Sequence, residues 1–507
     1  MGGSFPNWVG DHSFSYVTSI HLENCKYCCS LPALGQLSSL QNLSIVGFDG
    51  ILAVGEEFYG STSGSSSIKP FGALKVLKFE QMLNWEKWSS FGDENEGGAF
   101  HHLEELSIQR CSKLTGDLPI HLPSLGILEI IDCPKMLASL PKSPTICELK
   151  LINCRKDILR ELPLHVTEKL TIDRFDAVDM SVLVGGLPST LKFLEIKNWK
   201  KLGLPINLDY SCLEVLKLFD CDSLRSIPMD LFPNVKNLTI SRCRDLESLT
   251  VAEQVHQLDL VALSSLTIEE CPNFVSFPRG GLHATNLGFL QIEDCLSLRS
   301  LPDKMHMLLP SLTQITIQRC TNIETFLEGG LPSSLNELYI TNCDKLVESR
   351  MRWSLHNLAP LRYLSIWGGS KLDVVSFPEK GLLPTNLIIF RISGFSNLTT
   401  LDNNGFENLT SLKHLYIWSC LKLECISEEG LQCLTSLENL SIRDYPKLEY
   451  RMLEEGLQHL TSLSVLSISN CPLLTKRMWW ERRKEIKEWR CKLAHIPNKI
   501  VDEELIE

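Results

Sequence analysis

Leu287-Gly288-Phe289-Leu290-Gln291-Ile292-Glu293-Asp294-Cys295-Leu296-Ser297-Leu298 contains the frame that decides the fold. It reads Leu-x-x-Leu-x-Ile-x-x-Cys-x-x-Leu, with apolar residues at places one, four, six, nine and twelve. The frame returns at Leu103-Leu106-Ile108-Cys111-Leu114, Leu213-Leu216-Leu218-Cys221-Leu224, Leu335-Leu338-Ile340-Cys343-Leu346 and Leu412-Leu415-Ile417-Cys420-Leu423. Nineteen copies run from one centred on Ile20-Leu22-Cys25 to one on Leu463-Leu466-Ile468-Cys471. Place four is apolar in all 19 and Leu in 16; place six is apolar throughout and Ile in 15. At 44% hydrophobic content, chance would leave more than half of these places polar. Cys25 and Cys471 stand 18 repeats apart, so the mean period is about 25 residues.

Alternation at places four and six marks a short half-buried strand. An irregular return follows, commonly with Leu-Pro or Gly-Gly-Leu-Pro, as at Ser30-Leu31-Pro32, Ser226-Ile227-Pro228, Gly185-Gly186-Leu187-Pro188 and Gly329-Gly330-Leu331-Pro332. Proline gives a ladder no donor and belongs outside a central strand. Strands at constant period, each with a crossover, stack in parallel, and each unit needs its neighbours to bury its apolar face. The expected fold is an α/β-type solenoid: an arc with a parallel concave β-sheet of about 19 short strands and mostly irregular convex returns. The solenoid is expected over 1–475, with a loop insert near 60–67 in the longest gap, Phe48 to Met82, and a capping segment and tail over 476–507. From Lys476 to Lys492 there are eight basic and three acidic residues, with Trp479, Trp480 and Trp489. A cap over the last repeat is the favoured reading of this segment, and a tail for nucleic acid or a membrane surface is the alternative.

Composition excludes several classes. Of the 507 residues, 49 are Lys or Arg and 61 Asp or Glu, a net charge of −12, which opposes general nucleic-acid binding. No apolar run reaches the ~20 residues of a membrane-spanning helix. Met1 to Gly10 has neither the basic start nor the apolar stretch of a signal peptide.

Twelve of the 19 cysteines fall at place nine: Cys25, Cys111, Cys133, Cys154, Cys221, Cys243, Cys271, Cys295, Cys320, Cys343, Cys420 and Cys471. Other repeats put Phe48, Met82, Phe175, Trp199, Gly369, Phe395 or Tyr445 there. A ligand or nucleophile is not interchangeable with phenylalanine, whereas a small buried hydrophobe is. Reduced structural thiols are expected, and with them a cytoplasmic location. Cys25-x-x-Cys28, beside Cys29, His12 and His21, lacks a second pair at structural-zinc spacing. The glycine pairs in the returns lack the Gly-Lys-Ser/Thr of a phosphate loop, and no nucleophile-elbow, kinase or zinc-protease motif occurs. Glu269-Glu270 and Glu293-Asp294 read as solvated face. No catalytic, cofactor-binding or metal site is expected, and no enzyme activity.

Three stretches go beyond the generic repeat. They are Gly2-Gly3-Ser4-Phe5-Pro6-Asn7-Trp8 through Asp11, Cys25 and Leu31-Pro32-Ala33-Leu34-Gly35-Gln36-Leu37; Val54-Gly55-Glu56-Glu57-Phe58-Tyr59-Gly60 with Phe71-Gly72-Ala73-Leu74 and Trp85-Glu86-Lys87-Trp88; and Cys471-Pro472-Leu473-Leu474-Thr475-Lys476-Arg477 with Ala494-His495-Ile496-Pro497. On these residues the whole chain resembles the C-terminal leucine-rich-repeat region of plant nucleotide-binding leucine-rich-repeat disease-resistance proteins of the coiled-coil class. The resemblance implies a recognition module of plant innate immunity. Such a module senses a pathogen effector or a guarded host protein and restrains the nucleotide-binding domain of the same receptor. The coiled coil and phosphate loop of that family are not in the sequence, and Gly2 to Trp8 resembles the return of a repeat whose strand and N-terminal cap are missing. A fragment, a truncated gene product or a mis-started chain is therefore expected. The rival reading is a stand-alone adaptor or inhibitor binding a host or secreted enzyme. Extracellular repeats resemble Leu-x-Gly-x-Ile-Pro, approached here only at Leu114-Thr115-Gly116-Asp117-Leu118-Pro119. Asn42, Asn237, Asn397, Asn408 and Asn439 stand in glycosylation-type triplets that arise readily within this repeat.

Places three, five and seven share the solvent face of each strand. Repeats 14 to 17 put Tyr339, Tyr363, Trp367, Tyr416 and Trp418 there, with Arg362, Arg391 and Lys413 nearby. Folding does not call for large aromatics on that face, and Tyr, Trp and Arg are the usual binding hot spots. These eight residues are the expected partner-binding site, with packing among the side chains themselves as the competing reading.

Overall fold

The computed structural model describes the chain apart from residues 1–2, 4, 7, 61–68, 90, 92–97, 137–140, 142, 156–157, 159–165, 176–186, 188, 201, 203, 205–209, 253–258, 327–329, 424–425, 427, 448–455, 474–492, 503 and 507. The chain divides into two compact units, Met1–Leu224 with Leu231–Val235, and Arg225–Asp230 with Lys236–Glu507. A five-residue strand stands at every copy of the frame. Among the described residues there are nine in the first unit, from Ser19–Glu23 to Val215–Phe219, and ten in the second, from Asn237–Ser241 to Val465–Ser469.

Within each unit, consecutive strands pair in parallel, place for place. Leu266, Leu290 and Ile315 are register partners, as are Ile268, Ile292 and Ile317. Among the described residues the α-helices of the returns are only four or five residues long, at Glu56–Tyr59, Met305–Leu308, Asp344–Glu348 and Glu428–Gln432. Short parallel pairs also form there, such as Ser226–Pro228 with Ser248–Thr250. The second unit continues past the last frame. Asn498–Val501 pairs in parallel with Val465–Ser469, and Glu504–Ile506 returns antiparallel to it. The basic segment Lys476 to Lys492 and the insert after Gly60 lie outside the described residues.

Leu287, Leu290, Ile292, Cys295 and Leu298 are all fully buried, as the frame requires. Each such aliphatic side chain contributes about 1.5–3 kcal/mol by leaving water. In the longer repeat before Met82 the core is aromatic. Phe58 lies 4.7 Å from Phe71, Phe79 lies 4.8 Å from Trp85, and the Trp88 indole donates to the Tyr59 hydroxyl at 2.9 Å. The aromatic residues of the second distinctive stretch are thus the filling of this wider coil.

Place nine has a polar task as well as an apolar one. The Cys295 thiol lies 3.4 Å from the carbonyl of Glu293 and 3.7 Å from that of Ile268 in the preceding coil. Cys320 and Cys343 repeat the arrangement against Ile292 and Ile317. A thiol fills the turn and donates weakly to carbonyls there, whereas a phenylalanine only fills it. Burial pushes the Cys154 and Cys343 thiols up to about 12, and the Cys471 thiol to about 11. These cysteines are free thiols, and Cys29, Cys147 and Cys212 are exposed. The exposed three are expected to alkylate within minutes at pH 8, and the buried ladder only after unfolding, as mass spectrometry of labelled peptides would show. A raised folded-state pKa binds the proton more tightly than the unfolded chain does. The contribution of Cys154, Cys343 and Cys471 is therefore fully present below about pH 8.5, the usual thiol value, and is lost as pH rises toward 12. A urea midpoint that stays flat from pH 8 to 11 would contradict this.

Place eight carries a backbone feature that the frame did not disclose. Its φ lies between +50° and +71° in eighteen repeats, Gly368 being the exception. The left-handed corner aims its N–H at the next strand's place-seven carbonyl, as in Asn342 N–H to Trp367 O at 2.8 Å. The signal was in the sequence, since Asn, Asp or Gly fills this place in 12 of 19 repeats. Asn342→Gly is expected to be nearly neutral and Asn342→Val to cost about 1–2 kcal/mol in chemical denaturation.

Candidate protein-recognition face

Strands in register turn places three, five and seven into three rows of outward side chains. On the first unit these rows are charge-compensated. Lys78 pairs with Glu105 and Lys169 with Glu148, both at 2.6 Å, while the Lys169 and Lys217 ammonium groups lie 5.5 and 5.6 Å from the Phe193 ring. Early in the second unit the acidic places are also engaged. Arg319 pairs with Glu293 and Asp294, and the Gln291 amide donates to Glu269 at 2.9 Å. Burial, then the neighbouring Glu293, raises the Glu269 carboxyl above its ordinary range.

The later strands of the second unit differ. Row three runs Glu337, Tyr363, Ile389, His414, Asn439; row five runs Tyr339, Ser365, Arg391, Tyr416, Ser441; row seven runs Thr341, Trp367, Ser393, Trp418, Arg443. Small residues alternate with large rings, so the rings lean over the serines. Trp367 and Trp418, two strands apart, meet edge to face at 6.2 Å across the buried Ser393. Tyr339 and Tyr363 lie 4.6 Å apart, and Tyr416 meets Trp418 at 5.5 Å.

Arg391 is the centre of this arrangement. Its guanidinium carbon lies 4.5 Å from the Tyr416 ring, 5.3 Å from Tyr363 and 5.9 Å from Trp418. The Trp418 indole donates to the Ser441 hydroxyl at 3.1 Å, which fixes that ring. The Tyr339 hydroxyl donates to Glu337 at 2.9 Å, and burial, followed by that carboxylate, holds the phenol well above its ordinary range. Trp367 keeps 38% of its surface exposed.

Six of the eight expected residues thus come together: Tyr339, Tyr363, Trp367, Arg391, Tyr416 and Trp418. Arg362 and Lys413 do not join them, because place two leads into the strand rather than onto its face. Arg362 donates to the carbonyls of Ala359 and Asn386, and Lys413 pairs with Glu438 at 2.7 Å. Four neighbours were not singled out from the sequence: Glu337, His414, Ser441 and Arg443. Only the register of adjacent strands brings them to the cluster. Among the described residues no three or more His, Cys, Asp or Glu side chains converge as metal ligands, and no helix is long and apolar enough to cross a membrane.

Comparison with known proteins agrees with the repeat reading. The family model described as R13L1/DRL21 LRRs (leucine-rich repeats) matches residues 1–48. A putative disease resistance protein of Arabidopsis thaliana is 28% identical over 86% of this chain and 44% of its own length. The putative disease resistance RPP13-like protein 1 of Arabidopsis thaliana is 32% identical over 48% of this chain and 22% of its length. This chain therefore spans less than half of either relative. A solved leucine-rich-repeat protein of Leptospira interrogans aligns over 96% of both chains at 16% identity, with a TM-score of 0.34. The in-register repeats make this a leucine-rich-repeat array, which over most of its length is similar to a plant disease-resistance protein.

Proposed function

We propose that the chain is the recognition module of a plant immune receptor, and that it carries no catalytic activity of its own. Its outward face at Tyr339 to Trp418 binds a pathogen effector or a host protein altered by one. In a full-length receptor the same array restrains the nucleotide-binding switch until that partner docks. The observation that carries the reading is the set of five aromatics around Arg391 on a face where the fold requires none. The resistance-protein relatives support the biological setting, and the buried free thiols suit a cytoplasmic one.

The test joins the full chain to the nucleotide-binding region of a related resistance protein and expresses it in leaf tissue with a library of secreted pathogen proteins. The expected result is a receptor that is silent alone and triggers cell death with one or a few of them. Cell death without any effector, or silence with all of them, counts against the proposal.

A further inference from the structure

Arg391 differs from most other cations on the outward rows. Lys78 pairs with Glu105, Lys150 with Glu129 and Arg443 with Asp444. Among the described residues no carboxylate pairs with Arg391, and its Nε is buried without a hydrogen-bond partner. Glu337, two strands away and in the neighbouring row, accepts from the Tyr339 hydroxyl. Ring faces offset part of the cost of withdrawing a guanidinium from water, but they cannot accept its in-plane N–H bonds. The terminal N–H groups of Arg391, a residue that is only part-buried, are open to an acceptor brought from outside.

The surroundings define that acceptor further. Ser365, beside Arg391 on the preceding strand, and Ser393, two residues along its own strand, form a low floor and are both 6% exposed, while Tyr363, Tyr416 and Trp418 wall the guanidinium. The exposed Trp367 ring lies beyond Ser393, and Arg443 continues row seven past Trp418. A positive, ring-walled centre next to a free indole is complementary to a carboxylate that has an apolar neighbour. We propose that Arg391 is the anchor of the recognition face, and that the partner presents an Asp or Glu side chain to it with an adjacent apolar side chain on Trp367. This rests on the reading of the face as a protein-binding surface and adds the chemistry of what it binds. The chain's net charge of −12 repels acidic partners at long range. Recognition here therefore depends on close fit rather than on electrostatic steering.

A phage-displayed random dodecapeptide library panned on the full chain tests this. Enriched peptides are made as synthetic pairs, acidic and amide (Asp→Asn or Glu→Gln), and titrated against wild type, Arg391→Gln, Arg391→Lys and Trp367→Ala, each checked for an unchanged melting profile. The expected result is an acidic residue beside an apolar one in the enriched set. The amide change should cost about tenfold against wild type and less than twofold against Arg391→Gln, and Arg391→Lys should recover only part of the difference because it lacks the planar fork. Enriched peptides without an acidic residue, no enrichment at all, or an equal amide cost in wild type and Arg391→Gln would overturn the proposal. If Trp367→Ala abolishes binding while Arg391→Gln leaves it intact, the anchor is wrong and the recognition face stands. If neither matters, both are wrong.

Discussion

Replacing Trp367 and Trp418 together with alanine is expected to weaken binding of the physiological partner by roughly a hundredfold or more, with little change in melting temperature. The two rings close over Ser393 and contribute the exposed edge and one wall of the cluster. Both stand at place seven, on the opposite side of the sheet from the leucines and isoleucines that hold the coil together. Truncation removes contact area and leaves Arg391 with two ring faces, Tyr363 and Tyr416. The core beneath, Leu364, Ile366, Leu415 and Ile417, remains fully buried and unaltered. Isothermal titration with an effector or host partner identified by screening measures the loss, and circular dichroism checks the fold. A double variant that binds as tightly as wild type would remove the site.

The second large effect concerns the core. Cys295→Asp is expected to unfold the second unit at neutral pH, at a cost of several kcal/mol, while Cys295→Ala costs about 1–2 kcal/mol. Cys295 is fully buried between Cys271 and Cys320 at place nine and faces carbonyl oxygens, which repel a carboxylate. The pH dependence has a definite sign. Burial would raise the aspartate's folded pKa above its unfolded value near 4, so the folded state holds the proton more tightly. The deficit is then smallest below about pH 4 and grows as pH rises through the folded pKa. Partial recovery of the near-ultraviolet circular dichroism signal on acidification to pH 4 is the expected observation. Equal instability at pH 4 and pH 7 would show that volume rather than charge is responsible.

These effects also show how far the chain could be read unaided. The strand frame was legible because places four and six must be apolar in every repeat, and a strand stands at each predicted copy. Place nine was legible because phenylalanine substitutes for cysteine there, which only a buried position tolerates. The corner at place eight was written in Asn, Asp and Gly but masked by the arginines that share it, such as Arg110 and Arg174 at φ 54° and 56°. Asn498–Val501 reads Asn-Lys-Ile-Val, with neither the leucine frame nor polar–apolar alternation, so nothing marked it as a further strand. The aromatic residues of the cluster could be picked out singly. That Arg391 sits at their centre could not, because it depends on which residue of one coil lies beside which residue of the next. Arg362 and Lys413 show the complementary error, since nearness in sequence put them with a face from which place two points away.

Hydroxyl-radical footprinting of the full chain, free and saturated with its partner, tests the central claim most directly. The account predicts that oxidation of Trp367, the most exposed ring of the cluster, slows several-fold on binding, while Tyr16 and Tyr27, at 94% and 81% exposure in the first unit, oxidise at unchanged rates. Unchanged oxidation of Trp367, with protection falling on other side chains instead, would contradict it and move the recognition surface elsewhere on the chain.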